Sequence, residues 1–217
     1  MAKNTAFKIE EFFSSYKRFQ YKARELILQG DDPTGVYYIY KGHVRLYSIS
    51  ASGQELTFTI FKKGDLFPIR WAFTDNPHTY FCEAITPFEV AKAPKEKLVE
   101  FFKKDAEVSF ELLSGVLQRL GGLLERMEYA VFGNAYQKVA SILVICAERF
   151  GTNEGAKTVI KLPLTHKDIA NLLGLTRETA SVEIERLQKL GVCLREGHLI
   201  TIVDLDKLKN EANWNSS

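Results

Sequence analysis

Hydrophobic positions along the chain change period twice. Residues 18–94 alternate β-formers with Gly, Asp, Asn and Pro at strand-plus-turn spacing, after a short helical start at residues 9–16. Val36-Tyr37-Tyr38-Ile39-Tyr40 and Val44-Arg45-Leu46-Tyr47 flank Lys41-Gly42-His43, and residues 56–61 follow an Ala51-Ser52-Gly53-Gln54 turn. Eight or so short strands without helical interruption fit a sandwich or jelly roll better than a doubly wound sheet. From Lys95 the period becomes helical. Ala106, Phe110, Leu113, Leu117, Leu120, Leu124, Met127 and Val131 recur at alternating spacings of four and three, the seam of a coiled coil. A lone helix of this length has little to pack its seam against, which predicts a parallel homodimer; the competing reading packs the seam on the β unit alone. Gly121-Gly122 costs about 1 kcal/mol of helix propensity per glycine and permits close approach of backbone or ligand.

The long helix is expected to end near Phe132-Gly133, with Asn134 capping a new helix over residues 135–150. A polar loop at 151–155 and a short strand at 159–162 follow. Residues 164–187 read as two helices joined by a tight turn. Thr165 caps the first, Asp168 closes a capping box, and Leu164 with Ile169 supplies a hydrophobic staple. Gly174 ends that helix in the left-handed conformation, Thr176 caps the second, and small Ala170 lets the two cross closely. This pattern is a helix-turn-helix. On its second helix Arg177, Glu178, Ser181 and Val182 share about 140° of arc, opposite Ala180, Ile184, Leu187 and Leu190. Arg177 has the fork to meet guanine O6 and N7, Glu178 can accept from cytosine N4, and Val182 suits a thymine methyl. Thr165, His166, Lys167, Thr176 and Thr179 are the candidate phosphate contacts, joined by Arg195 and His198 on a hairpin wing at residues 194–202.

Composition adds limits. The 217 residues carry 29 Lys plus Arg against 27 Asp plus Glu, and from Asn134 onward 11 basic residues face 10 acidic ones. DNA binding must therefore come from local arrangement of charge. No stretch approaches the ~18 apolar residues of a membrane helix, and the polar opening lacks a signal-peptide core, so a cytoplasmic protein is expected. Cys82, Cys146 and Cys193 lie far apart in no metal spacing; buried thiols are expected, with no metal, iron-sulfur or haem cofactor. Paired carboxylates, a nucleophile with its base and a phosphate-cradling Gly loop are not evident, which argues against an enzyme.

The β-roll pattern with Tyr38-Ile39-Tyr40-Lys41-Gly42-His43-Val44, then Gly64-Asp65, a dimer helix, Phe132-Gly133-Asn134 and a winged helix-turn-helix containing Thr176-Arg177-Glu178-Thr179 resembles the Crp/Fnr superfamily of bacterial transcription regulators. The resemblance spans essentially the whole chain. It implies an α+β architecture: a cyclic-nucleotide-binding-like β jelly roll over 1–104, a dimerisation helix with hinge over 105–133, and a winged helix-turn-helix over 134–217. It further implies a homodimer on a palindrome in double-stranded DNA, a hinge at Phe132-Gly133-Asn134, and contact with RNA polymerase if the protein activates.

Family members that bind cyclic AMP use a Gly-Glu for the ribose, an Arg-Ser or Arg-Thr pair for the phosphate and a Thr-Ser pair for the base. Pro68-Ile69, Thr79-Tyr80 and Leu123-Leu124 occupy those positions here. A buried cyclic phosphate without a guanidinium partner would cost several kcal/mol, and Arg70 and His78 are the cations nearby. The effector is therefore expected not to be cyclic AMP. Aromatic residues fill the space instead, either as packed core or as a pocket for an apolar small molecule bounded by Phe67, Arg70, Trp71, His78, Thr79, Tyr80, Leu123 and Leu124. Two functions remain open: a regulator answering an unknown effector, and one without an effector, controlled by abundance or partner contact.

Overall fold

The computed structural model describes residues 3–29, 34–74 and 80–213. They form two compact units, one of residues up to 48 with 58–120, the other of 49–57 with the residues from 121. In the first, α1 (Lys3–Ser14) precedes β1 (Arg18–Tyr21), β2 (Leu26–Gln29), β3 (Val36–Lys41), β4 (Val44–Ile49), β5 (Glu55–Phe61) and β6 (Leu66–Phe67). Next come α2 (Ile69–Thr74), β7 (Phe81–Ala84), β8 (Phe88–Ala93) and α3 (Lys95–Lys104). The strands make two antiparallel sheets in the orders β1-β8-β3-β6 and β2-β7-β4-β5.

Strand alternation sends the two faces of β3 into different cores. Tyr37 and Ile39 join Val44, Phe61, Phe67, Cys82, Phe88 and Val90, drawn from both sheets. Val36, Tyr38 and Tyr40 point the other way, onto Ile9 and Phe13 of α1 and Leu98 and Phe102 of α3. Burial on both faces is why the Val36-Tyr37-Tyr38-Ile39-Tyr40 run is apolar without interruption. Gly42 turns β3 into β4 at φ +89, and a Cβ there would meet Pro87 O at 2.4 Å. The expectation of uninterrupted strands fails at α2, a single helical turn or so whose Ala72, Ile69 and Trp71 pack onto the α1/α3 core. Nothing in the local spacing of six residues distinguishes that turn from a strand.

Helix α4 (Ala106–Phe132) runs unbroken through Gly121-Gly122 for 27 residues, about 40 Å at 1.5 Å per residue. Its start is fixed by Val108 and Leu112, both buried, and by Asp105 Oδ1 accepting the Val108 N–H at 3.1 Å. Gly133-Asn134 then leads into α5 (Ala135–Phe150), where Asn134 and Gln137 complete a capping box.

The second unit continues with β9 (Gly151–Glu154), β10 (Lys157–Ile160), α6 (His166–Leu173), α7 (Arg177–Lys189), β11 (Cys193–Glu196), β12 (Leu199–Ile202) and α8 (Leu205–Glu211). Its sheet has the order β11-β12-β10-β9. The expected polar loop at 151–155 is in fact β9, pairing Glu154 with Lys157 and Gly151 with Ile160. Its side chains are largely exposed, so backbone pairing makes the strand and no apolar alternation announces it. Cys82, Cys146 and Cys193 are free thiols, all buried as expected.

Candidate nucleic-acid interface

Two capped helices frame the site. Thr165 Oγ1 accepts the Asp168 N–H at 3.1 Å while Asp168 Oδ2 accepts the Thr165 N–H at 2.8 Å. Gly174 closes α6 at φ 66, ψ 29, its N–H donating to Ala170 O. Thr176 then caps α7, accepting the Thr179 N–H at 3.1 Å. Ala170, Ala180, Ile184 and Leu187 are buried, so the hairpin is pinned from behind by its small and aliphatic side chains. The opposite side of α7 is open: Arg177 and Glu178 are exposed, Ser181 is half-buried, and Val182 is 61% exposed. Val182 does not pack under the helix.

The phosphate candidates divide. Lys167, Thr176 and His198 are exposed, and Thr179 and His166 are half-buried. Burial, then the positive charges of Arg195 and Arg177, push the His166 imidazole below its ordinary value against an opposing pull from Glu185. Thr165 and Arg195 are engaged within the chain. The Thr165 hydroxyl gives its one proton to Asp168 Oδ2 at 2.7 Å and its N–H to the same oxygen, so neither is left for a phosphate, which only accepts. Arg195 turns inward, Nε donating to Gly197 O at 2.9 Å and Nη2 to Leu164 O at 3.3 Å. It ties the wing to the start of α6, and burial lowers its pKa from the ordinary value.

On α4 the seam residues face outward. Phe110, Leu113, Leu117, Leu120, Leu124, Met127 and Val131 are all exposed, as is Phe132 of the expected hinge. Packing of the seam within one chain, the competing expectation, is therefore not what the structure has.

Among the described residues of the first unit, the expected pocket residues do not gather into one wall. Phe67 is fully buried in a stack, 5.1 Å from Tyr37 and 5.5 Å from Phe61. Trp71 packs in the separate α1/α3 core, Tyr80 lies against Phe58, and Arg70 is exposed. Phe67 is a core residue and not a wall, because its side chain is fully buried among the rings of Tyr37, Phe61 and Phe88. Leu123 and Leu124 are exposed. His78 and Thr79 lie outside the described residues.

The cyclic nucleotide-binding domain family matches residues 18–105, and the Crp-like helix-turn-helix domain family matches residues 137–211. The chain is 30% identical over 187 residues to the anaerobic regulatory protein of Haemophilus influenzae, covering 86% of this chain and 72% of that one. It belongs to the Crp/Fnr family of transcription regulators. Within that family it is also similar to the CRP-like cAMP-activated global transcriptional regulator of Mycobacterium tuberculosis, at 26% identity over 88% of this chain and 85% of the relative. Among solved structures, FixK2 from Bradyrhizobium japonicum superposes with a TM-score of 0.77 at 25% identity, covering 90% of this chain and 96% of that one. A Crp/Fnr-family regulator from Thermus thermophilus gives 0.72 at 26% identity, over 91% and 98% of the two chains.

As a Crp/Fnr regulator the protein is a sequence-specific DNA-binding transcription factor, of a family that is typically non-enzymatic. No helix among the described residues is long and apolar enough to cross a membrane. Sequence reasoning missed Arg126, whose guanidinium is buried. It sits beside the seam positions on α4, where an arginine ordinarily signals only a solvated helix face.

Proposed function

We propose that two copies of this chain pair along α4 and present their α7 helices to successive major grooves of a palindromic operator. The observation that carries this reading is the open polar face of α7, with Arg177 and Glu178 in its first turn, on a helix whose other face is locked into core. Half-sites centred about one turn, ~34 Å, apart are expected from a two-fold pair of such helices. Arg177 reads guanine, Glu178 its paired cytosine, and Val182 a thymine methyl, with Ser181 alongside. Lys167, His166, His198, Thr176 and Thr179 hold phosphates. The exposed seam, from Phe110 to Val131, is the surface that pairing covers.

Regulation runs through a small molecule other than cyclic AMP. Pro68-Ile69 and Leu123-Leu124 offer neither carboxylate nor hydroxyl, and no metal or haem is part of this reading. The packed stack of Tyr37, Phe67 and Phe61 favours a second reading, in which the protein works without an effector and answers to abundance or partner contact. RNA polymerase is a partner if the protein activates, and the site of action is the cytoplasm.

Selection of randomised duplex DNA with the full chain tests the DNA reading: a two-fold palindrome is expected, and recovery of unrelated sequences would sink it. Thermal unfolding against a metabolite panel separates the two modes of regulation, since a ligand at 100 times its Kd adds about 2.7 kcal/mol.

A further inference from the structure

The turn between β4 and β5 packs as part of the second unit, residues 49–57 joining those from 121 onward. Within that unit two hydrogen bonds meet the C-terminal end of α6, and a third joins α4 to β5 beside them. Asn171 Nδ2 donates to Glu55 Oε2 at 2.8 Å. Arg126 Nη2 donates to Thr57 O at 2.9 Å and also to Leu172 O. Asn171 and Thr57 are buried, and burial is the largest influence on the Arg126 guanidinium. Leu172 O is among the last carbonyls of α6, which have no partner within the helix and carry its negative dipole end. A guanidinium there satisfies both needs at once. Helix α6 is thus fastened to α4 by Arg126 and to the start of β5 by Glu55, while Arg177, Glu178 and Val182 of α7 remain exposed. The fastened state leaves the reading face open.

We propose that Arg126, Glu55 and Asn171 form a latch that positions the helix-turn-helix on the C-terminal half of α4 and so sets the half-site spacing the paired protein accepts. The proposal rests on the dimeric palindrome reading above. Two α7 helices engage one operator together only when each is held at a fixed angle to the helix that pairs the protomers. A module joined to α4 through Gly133-Asn134 alone would sample other angles, and its apparent affinity for a two-half-site operator would fall by the fraction of time spent in the matching one. Arg126, Glu55 and Asn171 are positioning residues and need not touch DNA.

The test uses the full chain as wild type, Glu55→Ala, Asn171→Ala, their double variant, and Glu55→Gln, which keeps an oxygen to accept from Asn171. Arg126→Gln is added. Binding is measured on the selected palindrome, on the same palindrome with one base pair added or removed at its centre, and on a duplex with one half-site. Each Ala variant should bind the palindrome about tenfold more weakly, the equilibrium equivalent of one charge-assisted hydrogen bond. The double variant should be no weaker than either single one. Discrimination against the respaced palindromes should shrink, and Arg126→Gln should reproduce that shrinkage. Half-site binding of the Ala variants should be unchanged, and Glu55→Gln, which keeps an acceptor without the charge, should recover most of the lost palindrome affinity. Unchanged palindrome affinity and spacing discrimination in both Ala variants would overturn the latch. So would tighter binding, or equal losses on half-site and palindrome. A wild type that shows no preference for palindrome over half-site would overturn the dimeric reading itself, and the latch's role in spacing with it.

Discussion

Thr165 and Asp168 exchange both their hydrogen-bonding partners: the hydroxyl and N–H of Thr165 go to Asp168 Oδ2, and the N–H of Asp168 comes back to the Thr165 oxygen. The start of α6 is complete before any DNA arrives. Thr165→Ala should therefore cost about 1 kcal/mol of folding stability, as loss of an N-cap does, and leave the salt dependence of DNA binding unchanged. Lys167→Ala should do the reverse, keeping stability and flattening the salt slope by roughly one unit for each phosphate it no longer neutralises. Urea melts and binding isotherms at several salt concentrations distinguish the two.

Arg177 is exposed in the first turn of α7, with nothing packed over it that its removal would disturb. Arg177→Ala should weaken the selected operator by about 1 to 3 kcal/mol per half-site while affinity for random DNA changes little. Equal losses on both would make Arg177 a phosphate ligand.

Val182 supplies a finer check, since its side chain stands open at 61% exposure. Val182→Arg should install a strict G at one position of each half-site in a selection from randomised palindromes. An unchanged sequence preference would reject the placement of α7 in the groove.

Leu117 and Leu124 are 55% and 54% exposed in the single chain, so neither holds its own protomer together. Replacing both with Glu puts four charges into one paired seam. Sedimentation should find monomers that unfold at nearly the wild-type temperature yet no longer bind the palindrome, and an intact dimer would refute the pairing surface.

The pKa of His166 is pushed below its ordinary value of 6.5, first by burial and then by Arg195 and Arg177. The unfolded chain then takes up this proton before the folded one does. The stabilising contribution is complete above pH 6.5 and declines as pH falls below it. His43 is lowered too, chiefly by burial, so the comparison is between wild type and His166→Gln, whose stability should fall less between pH 7.5 and 5.5. DNA should reverse the sign. A phosphate beside His166 raises its pKa, and wild-type affinity should climb with acid more steeply than that of His166→Gln.

How much of this was legible beforehand depends on how far apart the interacting groups lie in the chain. The caps at Asn134, Thr165 and Thr176, the left-handed Gly174 and the 27-residue extent of α4 rest on neighbours within four residues, so spacing and residue type determine them. The seam is legible for the same reason, because a helix lines up every third and fourth side chain whatever surrounds it. The apolar run in β3 was visible as well, though not that its two faces serve separate cores. Tertiary structure alone decided the rest. Glu55 meets Asn171 across 116 positions, Arg126 meets Leu172 across 46, and Arg195 meets Leu164 across 31. A charged side chain on an amphipathic segment reads as solvated until the fold brings a buried carbonyl or amide to it. The sequence by itself thus determined α4, α5 and the two helices of the helix-turn-helix, and which face of α7 is free. The three-dimensional fold decided which polar groups hold those helices in place, because a hydrogen bond depends on atoms within about 3 Å and not on their separation along the chain.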